Sequence, residues 1–527
     1  MISEATRRWW ALIAIAASVL VVGLDLTVLN LALPTLARDL HASTSDLQWF
    51  ASAYSLALAA ALLPAGLLGD RYGRKKLLLI ALVVFGVSSA ACAYAGSAGA
   101  LIAARVLLGL GAAAILPLSL SVLPVFFTAE ERPKAIAVIM AATFVGYPIG
   151  PLLGGWLLDN FWWGSVFLIN VPVVAVALAA VAALMPESRA QRRPRMDITG
   201  VLGSSAGLAG LTYGFIKAGE DGWGDAAALA SIAAGVAVLA AFVAWERRFG
   251  RRPTAQPLVE LGLFRSAGFT WGTILVTMVA FALFGILFAM PQYFQDVRGF
   301  DALGSGLRLL PMIGGMVVGM LVGTRLQTPR KDPAGRLGAP AVTAKSLVTL
   351  GFTVVTAALA VGAFTRVHSG TGFAAAWFSV TGLGLGLAMP AAMNAALSAL
   401  SAERSGAGSA LISAMRQVGA TIGVAVLGTV LSSAYRGHLD LTGLPAQAAA
   451  TVRKSIAGGI AVAQQSGSAG LLDTVRAAFV HAMDVMLWVC GGIALAAALL
   501  ALAFLPHRNA AAPGGGHEVR AADEIGV

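Results

Sequence analysis

Charge is scarce in this chain: of 527 residues only 12% are charged, while 58% are hydrophobic. Soluble domains carry about a quarter charged residues, so the composition excludes an ordinary soluble protein and points to a polytopic membrane protein. Cysteine is nearly absent, and Cys92 and Cys490 both fall in apolar runs, which leaves no disulfide framework. Histidine is sparse too. The six residues are scattered, His481 stands alone, and no metal-ligand spacing emerges. No nucleophile-with-base pattern and no phosphate-cradling loop appears, which argues against a membrane-embedded enzyme or receptor. The net charge of +11 is not a nucleic-acid signal, because the bases recur in short clusters between apolar runs.

Acid inside the apolar runs is rarest of all. Asp25, in the run 9–33, is the one acid expected deep in any of them. A charged side chain at the centre of a bilayer costs about 3 kcal/mol or more, so by default it marks an ion or proton pathway. The run is too long, and too regularly followed by others, to be a cleaved signal peptide.

What the chain has in abundance is apolar sequence of membrane-spanning length, about 20 residues per span. Such runs lie near 10–34, 47–68, 77–97, 99–121, 134–157, 165–185, 198–217 and 226–245. Six more lie near 268–290, 305–324, 346–365, 372–394, 406–433 and 478–505, for fourteen in all. With both termini cytoplasmic, 25 of the 36 Lys and Arg fall inside, 8 outside and 3 within spans.

The chain also repeats itself at an offset of 273: Gly109, Gly111 and Pro117 recur as Gly382, Gly384 and Pro390. Gly146, Gly150 and Gly155 recur as Gly419, Gly423 and Gly428 in the same register. The repeat implies a six-span bundle over 1–190, two inserted spans with flanking loops over 191–264, and a second six-span bundle over 265–510. Transporters built from repeated halves hold substrate between them and expose it alternately to each side. The outer connection 434–476 is Ala-rich and fits either a short helical hairpin capping the mouth or a solvated loop. Residues 511–527 read as a disordered cytoplasmic tail.

The loop GLLGDRYGRKK, residues 66–76, combines Gly66, Asp70, Arg71, Gly73 and Arg74 in a pattern more specific than a basic inside loop. It resembles the signature loop of the major facilitator superfamily. LDLTVLNLALP (24–34), RVLLGLGAA (105–113), GYPIGPLLGG (146–155), FLINVP (167–172) and MRQVGATIGVAVLG (415–428) resemble motifs of its fourteen-span drug:proton antiporters, the staphylococcal quaternary-ammonium exporters among them. The resemblance covers nearly the whole chain. It implies an all-α polytopic membrane protein with the major facilitator fold, fourteen transmembrane helices arranged 6+2+6. It further implies a proton-coupled multidrug efflux transporter in a bacterial inner membrane, with no cofactor, working as a monomer on small-molecule drugs or metabolites and protons amid membrane lipids. A dedicated exporter of one endogenous metabolite or self-made antibiotic is the alternative.

The resemblance assigns proton coupling to Asp25 and Arg105; a structural hydrogen bond or a helix clamp is the competing reading of each. Gly146, Gly150, Gly154 and Gly155 let the fifth span pack closely on a neighbour, and Pro148 and Pro151 should kink it. Trp49, Tyr54, Tyr147, Phe288, Met290, Tyr293, Phe294 and Met389 are candidate substrate contacts, since flexible thioether and aromatic faces suit lipophilic cations, with helix packing or a lipid-facing position as the competing reading. Asn30 and Gln292 are candidate polar contacts, and Arg416 and Gln417 are read either as substrate contacts or as a clamp within the bundle. The staphylococcal exporters carry further acids in spans two, ten and thirteen. Here the matching stretches 49–59, 309–319 and 409–419 have none, and Asp484 sits only at the outer border of the last span. One deep carboxylate beside a deep Arg should favour monovalent, zwitterionic or neutral solutes.

Overall fold

Long apolar sequence with few polar breaks leaves the backbone one way to satisfy its hydrogen bonds in lipid, the helix. The computed structural model describes residues 4–127, 131–185, 187, 197–251, 259, 261–327, 342–398, 400 and 405–506. The first helices are α1 (Glu4–Asp39), α2 (Thr44–Tyr72), α3 (Arg74–Ala93), α4 (Ala98–Phe126), α5 (Arg132–Asn160), the short α6 (Ser165–Leu168) and α7 (Asn170–Leu184). Next come α8 (Ile198–Asp221), α9 (Ala226–Phe249), α10 (Ala267–Gln292), α11 (Ala302–Gln327), α12 (Ala344–Gly362), α13 (Thr371–Leu397) and α14 (Ser405–Gly437). The last are α15 (Ala446–Lys454), α16 (Ile456–Gln465) and α17 (Ala469–Phe504).

Among the described residues, 11 helical stretches are long and apolar enough to cross a membrane. Besides these, α2, α5 and α8 run for 29, 29 and 24 residues. Every apolar run expected from the sequence overlaps one of these helices. Of the two readings of 434–476, the helical one is found: α14 runs on to Gly437, α15 and α16 form a hairpin, and α17 begins at Ala469. The tail 511–527 lies outside the described residues.

Packing follows the repeat. In the earlier part α1 lies on α5 and α7, while α2 and α3 both lie on α4. In the later part α10 lies on α13 and α14, while α11 and α12 both lie on α13, and α12 also on α17. The two parts meet along two seams, α2 with α14 and α5 with α11. Helix α8 packs on α9 and against both α2 and α14, so it covers one seam only.

Both seams are tight near the end where α1 stops and α2 starts, here termed the hairpin end. A Cβ on Gly155 would lie 2.5 Å from Leu303 Cα, and one on Gly428 would strike the Gln48 side chain. The Asp159 carboxylate accepts from the backbone N–H groups of Ala302 at 2.9 Å and Leu303 at 2.8 Å, capping α11 from across the seam. Thr44 Oγ1, at the start of α2, donates to Lys454 O of the hairpin at 3.0 Å.

At the opposite end Gly73 has φ 114°, a conformation that favours glycine, and joins α2 to α3. Glu187 sits against it and accepts from Lys75 N and Lys76 N at 3.2 Å each, a carboxylate at the N-terminus of α3. Arg8 of α1 binds Glu131, just before α5, through two bonds of 2.9 and 2.7 Å.

Candidate functional site

Gly109 has no Cβ because α4 passes so close to α2 that one would sit 2.5 Å from Tyr54 O. That approach brings Arg105, one turn earlier on α4, deep between the helices. Its Nη1 donates to Asp25 Oδ2 of α1 at 2.7 Å, and its Nε donates to Phe50 O of α2 at 3.1 Å. The guanidinium carbon stands 4.5 Å from the centre of the Tyr54 ring and 6.0 Å from that of Phe167. The two side chains are 2% and 0% exposed, so solvent does not screen the pair. Removing one partner of such a buried pair costs about 3–5 kcal/mol, because the other is left charged and uncompensated. Asp25 Oδ1 is buried with no hydrogen-bond partner among the described residues.

A small cavity opens beside the pair, lined by Leu29, Asn30, Ala51, Tyr54, Ser55, Arg105, Phe284 and Val424. These come from α1, α2, α4, α10 and α14, so both repeated parts contribute walls. Among the described residues no acid lines it; they give the wall one cation, aromatic faces and small polar groups. Of the residues singled out in the sequence, the structure brings Asn30, Tyr54 and Arg105 to this cavity and Asp25 directly behind it. Leu29, Ala51, Ser55, Phe284 and Val424 carried no sequence signal beyond a helix period.

Other candidates lie elsewhere. Phe288 and Met290 are fully buried in the core, and Met389 packs half-buried against it. Trp49 and Arg416 are half-buried and Gln417 is buried, none of them on the cavity wall. Gln292 donates from Nε2 to Phe288 O at 2.9 Å, within its own helix. Tyr293 donates from its hydroxyl to Arg366 O at 3.1 Å, and its ring lies 5.4 Å from Phe294. The side chains of Asp70, Tyr147 and Pro148 lie outside the described residues. Arg71 stands over the ring of Tyr72 and Arg74 is half-buried, while Gly66 faces open space. Gly146 meets the α1 backbone at Leu20, Gly150 and Gly154 meet Thr27 and Val28 of α1, and Gly155 meets α11. Helix α5 continues through Pro151 to Asn160.

Two expectations need correction. Asp25 is not alone among buried acids: Asp296 is 7% exposed, and Asp197 and Glu246 are buried at the facing ends of α8 and α9. Asp296 escaped notice because the apolar run ends near Met290, whereas the helix continues through a π-turn, Tyr293–Val297. His481 is not isolated either. Its ring stacks on His438 with centroids 4.2 Å apart, a pairing made by the fold of the hairpin connection. Asp484 pairs with Arg366 at 3.3 Å. Among the described residues no group of three or more His, Cys, Asp or Glu could hold a metal ion.

The sequence profile of the Major Facilitator Superfamily matches residues 15–424. A tetracenomycin C resistance and export protein of Streptomyces glaucescens is 35% identical over 511 residues, which covers 94% of this chain and 91% of that protein. The multidrug efflux pump LfrA of Mycolicibacterium smegmatis is 34% identical, covering 94% and 95%. Among solved structures, a bacterial homologue of the human lysosomal transporter Spinster, inward-facing and unoccupied, superposes with a TM-score of 0.67 at 18% identity, covering 95% of this chain and 98% of that one.

Proposed function

Because this chain belongs to the major facilitator superfamily, we propose that it is a proton-coupled efflux transporter exporting lipophilic compounds by alternating access. It is a multi-pass bacterial membrane protein and a secondary active transporter related to drug-export proteins, not an enzyme. The finer reading has fourteen spans arranged 6+2+6, with bundles over 1–190 and 265–510 and the inserted pair between them. Both termini then face the cytoplasm and the hairpin end faces outward.

The observation that carries the reading is the buried Arg105–Asp25 pair at the wall of a cavity made by both parts. A proton on Asp25 and the ion pair exclude each other. With Asp25 ionised, the pair is neutral overall, and the Tyr54 and Phe284 faces accept a lipophilic or monocationic solute. With Asp25 protonated, Arg105 presents an unbalanced positive charge at the wall and repels a cation. Solute and proton thus compete through charge, which is the differential binding that exchange requires. A cavity without an acid favours neutral, zwitterionic or monovalent solutes over dications.

A second reading, a dedicated exporter of one self-made compound, draws on the export named for the Streptomyces relative. The test is dye efflux from everted vesicles carrying wild type or Asp25→Asn, with and without an uncoupler. Wild type should lose transport on uncoupling, and Asp25→Asn should show no uncoupler-sensitive efflux. Full proton-coupled efflux by Asp25→Asn would falsify the coupling role. Transport of one compound class with no dye efflux would favour the dedicated exporter.

A further inference from the structure

Asp296 occupies a place that an ionised carboxylate tolerates poorly. It lies in the π-turn Tyr293–Val297 that ends α10, 7% exposed, with Oδ2 buried and lacking any hydrogen-bond partner among the described residues. π-Turns inside helices recur at functional sites because they turn one side chain out of helical register. Three side-chain hydrogen bonds pin this one. Gln295 Nε2 donates to Leu31 O of α1 at 2.8 Å, across the two parts of the molecule. Tyr293 Oη and Arg298 Nη1 donate to the carbonyls of Arg366 and Val367 at 3.1 Å each, in the α12–α13 connection.

The hairpin forms the cover. Helix α16 packs on the π-turn, on α17 and on α1, and Tyr435 of α14 anchors the hairpin by donating to Val452 O at 3.1 Å. The charged group that acts on Asp296 is Arg38, at the end of α1, and the ionised Asp296 in turn acts on the hydroxyl of Tyr435. Arg38 is exposed and turns its Nε to Pro34 O at 3.2 Å. From α17, Asp484 is engaged with Arg366. From α11, Arg308 donates to Gly304 O and lies on the Phe300 ring. Neither α10 nor α16 contains a charged residue.

We propose that Asp296 is a proton-binding carboxyl whose loading from the outer solution closes the hairpin end over it. Closing over the ionised form strands Oδ2 in a dry site, whereas closing over the neutral acid does not. The open form, with water at the π-turn, tolerates either. Proton binding therefore favours closure, and closure favours proton binding by the same factor. The assignment of the hairpin end to the outside rests on the transport reading above.

The experiment measures distance rather than transport. Spin labels are placed at the exposed positions Asp39 and Gln464, on α1 and α16, in full-length protein in lipid nanodiscs; Cys92 and Cys490 are buried. In wild type the short-distance population should grow as pH falls from about 8 to about 5. The open-to-closed ratio should drop about tenfold for each unit of difference in proton affinity between the two forms. Asp296→Asn, permanently neutral, should show the short distance throughout; Asp296→Glu should keep the response with a shifted midpoint. A wild type without pH response, an Asp296→Asn protein with the wild-type response, or an Asp296→Glu protein without one each overturns the proposal. Asp25→Asn in the same assay separates the two readings. If efflux survives Asp25→Asn while the distance response vanishes only in Asp296→Asn, the coupling reading fails and the proton-linked closure stands.

Discussion

In the earlier part of the chain Gly109 and Gly111 let α4 lie against the backbones of α2 and α3; in the later part Gly382 and Gly384 do the same for α13 against α11 and α12. Gly146 brings α5 onto α1, and Gly419 brings α14 onto α10; Gly155 and Gly428 each reach across a seam. The close approaches at these glycines therefore recur in both parts. Charge does not. Arg105 holds Asp25 in the earlier part, whereas the position 273 residues later is Phe378, stacked on Trp377 with centroids 4.2 Å apart and 5.9 Å from Phe294. Backbone approach was kept in both copies because losing it would undo the helix packing of either. A buried ion pair contributes little net stability against an apolar filling, so its presence in one part alone points to use rather than to stability.

The largest effect is expected where the earlier part is made to resemble the later one. Arg105→Leu alone strands Asp25 and should destabilise the protein by about 3–5 kcal/mol. The double substitution Asp25→Leu with Arg105→Leu should recover most of that loss in thermal unfolding, while uncoupler-sensitive efflux stays absent. A double variant as unstable as Arg105→Leu alone would mean that the pair is structural.

Asp25 and Arg105 were legible because a charge in an apolar run must be explained, and the glycine repeat because its register persists across consecutive helices. Their pairing was not legible: the residues lie 80 apart, and no local rule joins α1 to α4. Asp296 was hidden by Pro291 and Gln292, which end the apolar run just before a π-turn that periodicity does not foresee. Trp49 and Tyr54 looked equivalent, yet five residues turn a helix by about 500°, so the two point to different faces. Phe284 and Val424 carry no polar atom, and only the meeting of α10 with α14 gives them a cavity to line.

The two seams offer a finer contrast. A Cβ on Gly155 meets backbone, Leu303 Cα at 2.5 Å and Ala302 O at 2.9 Å, whereas one on Gly428 meets the end of the flexible Gln48 side chain. Gly155→Ala should therefore cost the closed state about 1–3 kcal/mol, and Gly428→Ala under about 1 kcal/mol. The readout is the maleimide labelling rate of Leu303→Cys, which should rise with Gly155→Ala far more than with Gly428→Ala. Equal rates would mean that the seams give way together.

The smallest effect expected lies in the later part, at the aromatic counterpart of Arg105. Phe378→Leu keeps an apolar filling but removes the stacking on Trp377, a loss of about 1 kcal/mol in thermal unfolding. No charge changes, and Phe378 is not on the cavity wall, so the uncoupler-sensitive fraction of efflux should match wild type. If that fraction falls although the protein folds, the later part takes part in coupling through packing, and the contrast between a charged position 105 and a filled position 378 is wrong. If it holds, position 378 marks where the repeat gave up the chemistry that position 105 retains.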